Sequence, residues 1–310
     1  MLKTIIKSLL GKLPYIRTLN REIECVKTEI LKYKTAYEPG HFYSPIVSTV
    51  KVKEREKDIF FRESRIIPGI DLNEEGQLTL LNLLQENYKT VPFQFSKTEE
   101  LRYYFDNTYY CYSDAIFLHL MMRFHKPKNI IEVGSGFSSA VMLDTNELFA
   151  DNQIKITFIE PYADRLHSLL KQSDLERIKI LEKGVEEIDL SLFNKLESND
   201  ILFIDSTHVS KTGSDVNKII FEILPRLKKG VLVHFHDIFY PFEYPKEWVL
   251  EWKGFGWNES YLLKAFLMYN KDFEIVMFNT YLENFHKAWF EKNMPNCLKN
   301  EGGSLWIKKI

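Results

Sequence analysis

The feature that most constrains this chain is a change of rhythm near residue 128. Beyond it, the short runs Asn129–Val133, Lys155–Glu160, Arg177–Leu181, Asp200–Asp205 and Val231–Phe235 alternate with amphipathic stretches. The central runs, such as Ile201–Ile204 and Val231–Val233, are apolar on successive residues, so they have two faces to bury, and a parallel sheet covered by helices on both sides buries both. The spacing predicts an α/β domain. Phe273–Asn279 and Ser304–Lys309 read as two further strands with a helical or irregular piece between them. Before residue 128 the pattern is helical, at Glu74–Tyr88 and Tyr112–His125, with proline-containing loops at 39–45, 68–69 and 91–92.

The first residues are of another kind. Leu2, Ile5, Ile6, Leu9, Leu10 and Leu13 recur at helical spacing with lysines on the other face, and residues 1–36 carry eight Lys and Arg against three Glu. Such an arm packs on its own domain, joins a second subunit in a homo-oligomer, or lies on an anionic membrane surface through residues 1–17. The expected organisation is a basic helical arm (1–36), a helical cap with aromatic loops (37–110) and the α/β domain (111–310). Lys7 and Lys12 interrupt the apolar run and no small-residue cleavage site follows, which argues against a signal peptide. Nothing approaches the ~20 apolar residues of a membrane span. Cys25, Cys111 and Cys297 are far apart and in no Cys-x-x-Cys pair, so neither a disulfide framework nor a thiolate zinc site is expected. These features predict a cytoplasmic protein, with any contact to the inner membrane surface confined to the arm. With 41 Lys and Arg against 43 Asp and Glu, and no basic strip, nucleic acid is not an expected partner.

In an open α/β sheet, ligands bind beyond the carboxyl ends of the strands, where strand order reverses. The first strand runs into Glu132-Val-Gly134-Ser135-Gly136-Phe-Ser138-Ser139. Glycines let a backbone turn tightly against a ligand, and the helix that follows offers free N–H groups. The second strand ends at Glu160, roughly twenty positions further on, where a carboxylate can accept both hydroxyls of a ribose. The pair points to a nucleoside ligand. A nicotinamide dinucleotide needs a third glycine where Ser139 stands, which disfavours an oxidoreductase. The fourth strand ends in Phe203-Ile-Asp205-Ser-Thr-His208 and the fifth in His234-Phe-His236-Asp237. Adjacent strand ends lie ~5 Å apart, so Asp205 and Asp237 can converge. Two carboxylates beside imidazoles suit a divalent metal or general-base chemistry. His234, on the other face from Phe235, is expected in the core, and Ser214 is expected to cap the helix that Asp215 opens.

Together, Glu132-x-Gly134-x-Gly136, Glu160, Asp205 and the closing strand pair resemble the class I S-adenosylmethionine-dependent methyltransferases over roughly residues 110–310. The resemblance implies a Rossmann-like, doubly wound, mostly parallel seven-stranded sheet with an antiparallel last strand pair, preceded here by an N-terminal helical cap. It implies that Glu132 and the turn of Gly134, Ser135, Gly136 and Ser138 hold the methionine end of S-adenosylmethionine. Glu160 would bind the ribose, adenine would lie near Lys183–Val185, and Asp205 would border the same site. Ser138 stands at the third glycine of the common motif. The acids of the fourth and fifth strands are similar to those of the metal-assisted O-methyltransferase branch, which includes cephalosporin-hydroxylase-like enzymes. Carried over, Asp205, His236 and Asp237 would hold magnesium or a similar ion, although the branch has an oxygen ligand where His236 stands and imidazole suits softer metals.

An alcohol is a poor nucleophile until it loses its proton. His208 is the first choice of base and His236 the second, with Asp205 beside them. Six aromatics in residues 103–112 and nine in 235–257 flank the strand ends and offer apolar walls with polar handles to a small-molecule or glycan acceptor. The other functional class compatible with these residues is a methyltransferase-like cofactor-binding protein without turnover.

Overall fold

The computed structural model describes residues 14–32, 37–61, 63–252 and 255–310. The apolar residues expected to build the start of the arm, from Leu2 to Leu13, therefore lie outside the described residues. The chain divides at residue 56: one unit takes the residues up to Glu56 with Leu250–Gly256, and the other takes Lys57–Val249 with Trp257–Ile310. Residues 57–110 belong with the sheet. Among the described residues no helix is long and apolar enough to cross a membrane.

Helices of seven or more residues are α1 (Pro14–Lys32), α2 (Glu74–Gln85), α3 (Tyr112–His125), α4 (Phe137–Phe149), α5 (Glu259–Leu267), α6 (Asn279–Phe285) and α7 (Lys287–Asn293). The strands are β1 (Asn129–Val133), β2 (Lys155–Ile159), β3 (Lys179–Leu181), β4 (Ile201–Ile204), β5 (Leu232–His236), β6 (Phe273–Phe278) and β7 (Ser304–Lys309). α1 lies in the first unit and opens with Pro14, where a missing N–H costs nothing because the first turn has no acceptor for it.

In the second unit the strands form one sheet in the order β3-β2-β1-β4-β5-β7-β6. β1 pairs in parallel with both β2 and β4, so strand order reverses at its carboxyl end. β7 enters antiparallel between β5 and β6. This is the doubly wound sheet with an antiparallel closing pair that the sequence predicts. β4 and β5 are buried along their whole length, in keeping with their unbroken apolar runs. α3 is buried from Ser113 to Met122 because it packs on α4 and on the 3₁₀ turn Pro295–Lys299. Two boundaries fall short of expectation. β3 starts at Lys179, since the N–H groups of Arg177 and Ile178 turn back to the Asp174 carbonyl. The helix from Glu74 ends at Gln85, and Tyr88–Thr90 is a separate 3₁₀ turn.

The segment before α3 is fastened by a buried ion cluster. Arg102 donates to Asp144 on α4 (Nη1–Oδ1 2.6 Å) and, through Nε and Nη2, to both oxygens of Asp174 (2.8 and 2.5 Å). Asp144 also accepts the backbone N–H groups of Arg102 and Tyr103. With Glu147 at the rim, all three guanidinium nitrogens are paired. Two of the 103–112 aromatics are thereby placed in the core: Tyr103 donates to the Tyr110 carbonyl at 2.7 Å, and Tyr110 is buried. Ser214 accepts the Asn217 N–H and caps the helix opened by Asp215, as its position predicts.

Candidate active site

The carboxyl end of β1 is stitched to both neighbours before it turns. The Gly134 N–H donates to the Ile159 carbonyl (2.9 Å), and the Asp205 N–H donates to the Val133 carbonyl (2.8 Å). Gly134 has φ +80, and a Cβ there would lie 1.8 Å from the Asp205 carbonyl oxygen. Only glycine lets the β1 and β4 ends approach this closely. Glu132, fully buried at the penultimate position of β1, accepts hydrogen bonds from Ser138 Oγ (2.6 Å) and from Ser139 Oγ. Burial pushes its carboxyl up to about 8, against the pull of these hydroxyls. Ser139 Oγ also accepts the Gly136 N–H at 3.0 Å, so the position where a dinucleotide fingerprint has glycine is occupied by a hydroxyl that braces the turn.

Glu160, at the end of β2, reaches back to this turn. Its carboxylate accepts the N–H groups of Ser135 (3.1 Å) and Tyr162 (2.8 Å), which fixes the side chain beside the glycines. Gly134, Glu160, Gly184–Glu186 and Asp205 line a groove of about 320 Å³ across the ends of β1 to β4. Of the segment expected at the adenine, Gly184 and Val185 border this groove.

Next to it, the ends of β4 and β5 bring together His208, Asp205, Asp237 and a fourth residue, Glu259. His208 Nδ1 meets Glu259 Oε2 at 2.8 Å, and Ser206 Oγ donates to the other Glu259 oxygen at 3.0 Å. His208 Nε2 faces Asp205 Oδ1 at 3.4 Å and Asp237 Oδ2 at 3.7 Å. The His208 carbonyl accepts the N–H groups of Asn258 and Glu259, tying the β4 loop to the start of α5, and the Trp257 ring stands 4.2 Å from the imidazole. His208 and Asp237 both hold left-handed backbone (φ 59 and 56), a conformation that costs a non-glycine residue about 1 kcal/mol or more and recurs at functional sites.

The electrostatics follow from this packing. Burial works against charge on His208, but the hydrogen bond to Asp205 and the carboxylate of Glu259 outweigh it, and its pKa stands well above the ordinary value. Burial likewise pushes Asp205 upward, yet the positive His236 and the His208 hydrogen bond hold it below its ordinary value. For Asp237 burial wins, and its carboxyl is raised. His236, its Nε2 3.5 Å from Asp237 Oδ1, is raised by Asp237 and Asp205 against its burial. Its ring lies 5.1 Å from Tyr110 and its Nδ1 has no partner. His234 is in the core as expected, stacked 3.9 Å from Phe203, bonded to Ser304 Oγ at 3.0 Å and held neutral by burial.

The expected metal centre takes a different form. Among the described residues no group of three or more His, Cys, Asp or Glu is arranged to hold a metal ion. Asp205, His236 and Asp237 come near one another, but the His208 ring stands between the two carboxylates, and its imidazolium supplies the positive charge that a cation would bring there. The side chains present do not fit a magnesium ion. Glu259 was missed at the sequence level because an acid opening an apolar helix after Asn258 reads as a favourable charge on the helix dipole. Only the spatial meeting with His208 gives it another role.

A nucleoside-sized groove over the β1 turn, in a sheet of order 3-2-1-4-5-7-6 with antiparallel β7, defines a class I methyltransferase domain. Residues 131–238 match the family model described as a methyltransferase domain. A protein of Archaeoglobus fulgidus described as uncharacterized is 34% identical over 182 residues, covering 57% of this chain and 81% of that protein. The chain belongs to the S-adenosylmethionine-dependent methyltransferases of class I. Among solved structures it is similar to the Podospora anserina methyltransferase PaMTH1 with bound S-adenosylhomocysteine (TM-score 0.42, 12% identity, 89% of this chain and 100% of that one). It is similar also to the O-methyltransferase TomG of Streptomyces achromogenes, involved in tomaymycin synthesis, in complex with S-adenosylmethionine (TM-score 0.41, 12% identity, 84% and 96%). A third is CmcI with magnesium and S-adenosylmethionine (TM-score 0.40, 14% identity, 73% and 84%).

Proposed function

We propose that this methyltransferase acts on a hydroxyl group of a small molecule or glycan, with His208 as the proton acceptor. The observation that carries the reading is the buried Glu259–His208 pair, whose Nε2 faces Asp205 and Asp237 beside the groove. Bound S-adenosylmethionine supplies an activated methyl group on a sulfonium. The turn from Gly134 to Ser138, braced from beneath by Glu132, would hold its methionine end, and Glu160 would face the ribose. Glu259 accepts a hydrogen bond from the Nδ1–H of neutral His208, which leaves the Nε2 lone pair toward the acceptor. The acceptor hydroxyl would give its proton to His208 Nε2 as its oxygen takes the methyl group, the electron pair of the broken C–S bond remaining on sulfur. Asp205 and Asp237 then stabilise the imidazolium. Asp237, with His236 beside it, orients the acceptor.

The test is a transfer assay with methyl-labelled S-adenosylmethionine against phenols, catechols and sugars, alongside calorimetric titration of the cofactor. Label on an acceptor oxygen is the expected result. Label confined to nitrogen or sulfur acceptors would remove the hydroxyl reading, and absence of cofactor binding would remove turnover itself.

A further inference from the structure

α1 carries a pattern finer than amphipathicity. Ile16, Leu19, Ile23, Val26 and Ile30 are spaced 3, 4, 3 and 4, so they fall on alternating a and d positions of a seven-residue repeat, with Tyr15, Cys25 and Leu31 off the seam. In the sequence the same register holds Leu2, Ile5 and Leu9 before the helix, with Lys12 interrupting one d position, and Tyr33 after it. Leu19, Ile23, Val26 and Ile30 are all exposed, the last two at 56% and 60%. A narrow seam of this period is the mark of a coiled coil, because it follows a supercoiled partner rather than a broad core face.

The seam also specifies its partner. All three a positions (16, 23, 30) are isoleucine and the d positions are Leu19 and Val26, and β-branched a residues favour two strands in parallel. In a parallel pair, a g position faces the next e position of the other helix. Here g is Glu22 and e is Lys27, so two copies of this helix set opposite charges against each other on both sides of the seam. Antiparallel pairing would oppose g to g, and hence acid to acid. Lys27 pairs with Glu24 on its own helix, at 2.8 Å and largely in solvent, a contact worth little and easily exchanged. A membrane surface fits less well, since it calls for cationic flanks and Glu22 borders the seam. We infer that α1 is a dimerisation helix whose partner is the α1 of a second copy of this chain, in a parallel two-stranded coiled coil.

Sedimentation equilibrium of the full chain across the micromolar range tests this. The wild-type protein is expected to dimerise reversibly, and Ile23→Asp to be monomeric at the same concentrations. Glu22→Lys, which turns two attractions into two repulsions, should raise the dissociation constant by about tenfold. The exchange Glu22→Lys with Lys27→Glu should bring it back. Because all three variants change exposed positions, the main thermal transition should not move, which separates loss of dimer from loss of fold. A wild-type chain monomeric throughout, a dimer indifferent to Ile23→Asp, or a charge exchange that fails to restore association would each overturn the proposal. So would a monomer that floats with vesicles of mixed neutral and anionic phospholipid, an outcome that assigns the seam to a membrane.

Discussion

Two clusters of buried charge lie in the second unit, and they are built to opposite specifications. Around Arg102 each charge is paired: the guanidinium reaches both Asp144 and Asp174 at 2.5–2.8 Å, and Asp144 collects backbone N–H groups besides. Around His208 a single tight contact, to Glu259 at 2.8 Å, is set against two loose ones at 3.4 and 3.7 Å. The first cluster uses ordinary backbone, whereas His208 and Asp237 of the second hold left-handed φ. A buried charge left with incomplete bonds costs free energy unless something else completes them. The Arg102 cluster is finished by the fold. The His208 cluster is unfinished, and an acceptor hydroxyl arriving between Nε2 and the carboxylates would complete it.

If that contrast is right, the two clusters fail differently. His208→Ala should lower methyl transfer by about 10²–10⁴-fold, the usual span for loss of a general base, while S-adenosylmethionine affinity measured by calorimetry changes little. A fall in affinity that matches the fall in rate would make His208 a cofactor residue instead. Arg102→Met should act on stability, by about 3–5 kcal/mol in urea unfolding, because it strands two buried carboxylates without their cation. Activity per folded molecule should survive. A loss of under about 1 kcal/mol would mean that Asp144 and Asp174 find water or protons on their own.

The sequence discloses these regions unequally, for a physical reason. Sheet strands advertise themselves through runs such as Ile201–Ile204, since burial on both faces is a local demand on composition. Gly134 was legible as a turn, and the structure shows the close approach to Asp205 that requires it. Asp205, His208 and Asp237 could be placed together because strand ends lie side by side. Glu259 comes from a helix fifty-one positions beyond His208, and no local pattern records that meeting. The Arg102 network joins positions separated by forty-two and seventy-two residues and leaves no local trace either. By type, carboxylates beside imidazoles suited a metal or a base alike, and type does not say that the His208 imidazole stands between the acids.

A gentler change sharpens the same contrast. Glu259→Gln keeps the shape of the pair but removes the carboxylate that raises His208 and fixes its tautomer. A positioning partner of this kind is worth about tenfold or more in rate. The diagnostic is pH. In the wild type the pKa of His208 is raised well above its ordinary value, so transfer should climb as pH rises through that value and the base becomes neutral. Without Glu259 the climb should come at lower pH and reach a lower plateau. The stability linked to charged His208 moves with it: full below about 6.5, its ordinary value, and lost as pH rises through the folded value. In Glu259→Gln that loss should begin nearer neutrality, and an unshifted rate profile would show that Glu259 only packs. The smallest effect concerns cations. Since the His208 imidazolium already supplies the positive charge between Asp205 and Asp237, a chelator should leave both the rate and its pH profile unchanged, whereas loss of activity restored by magnesium would mean that His208 swings aside to admit an ion.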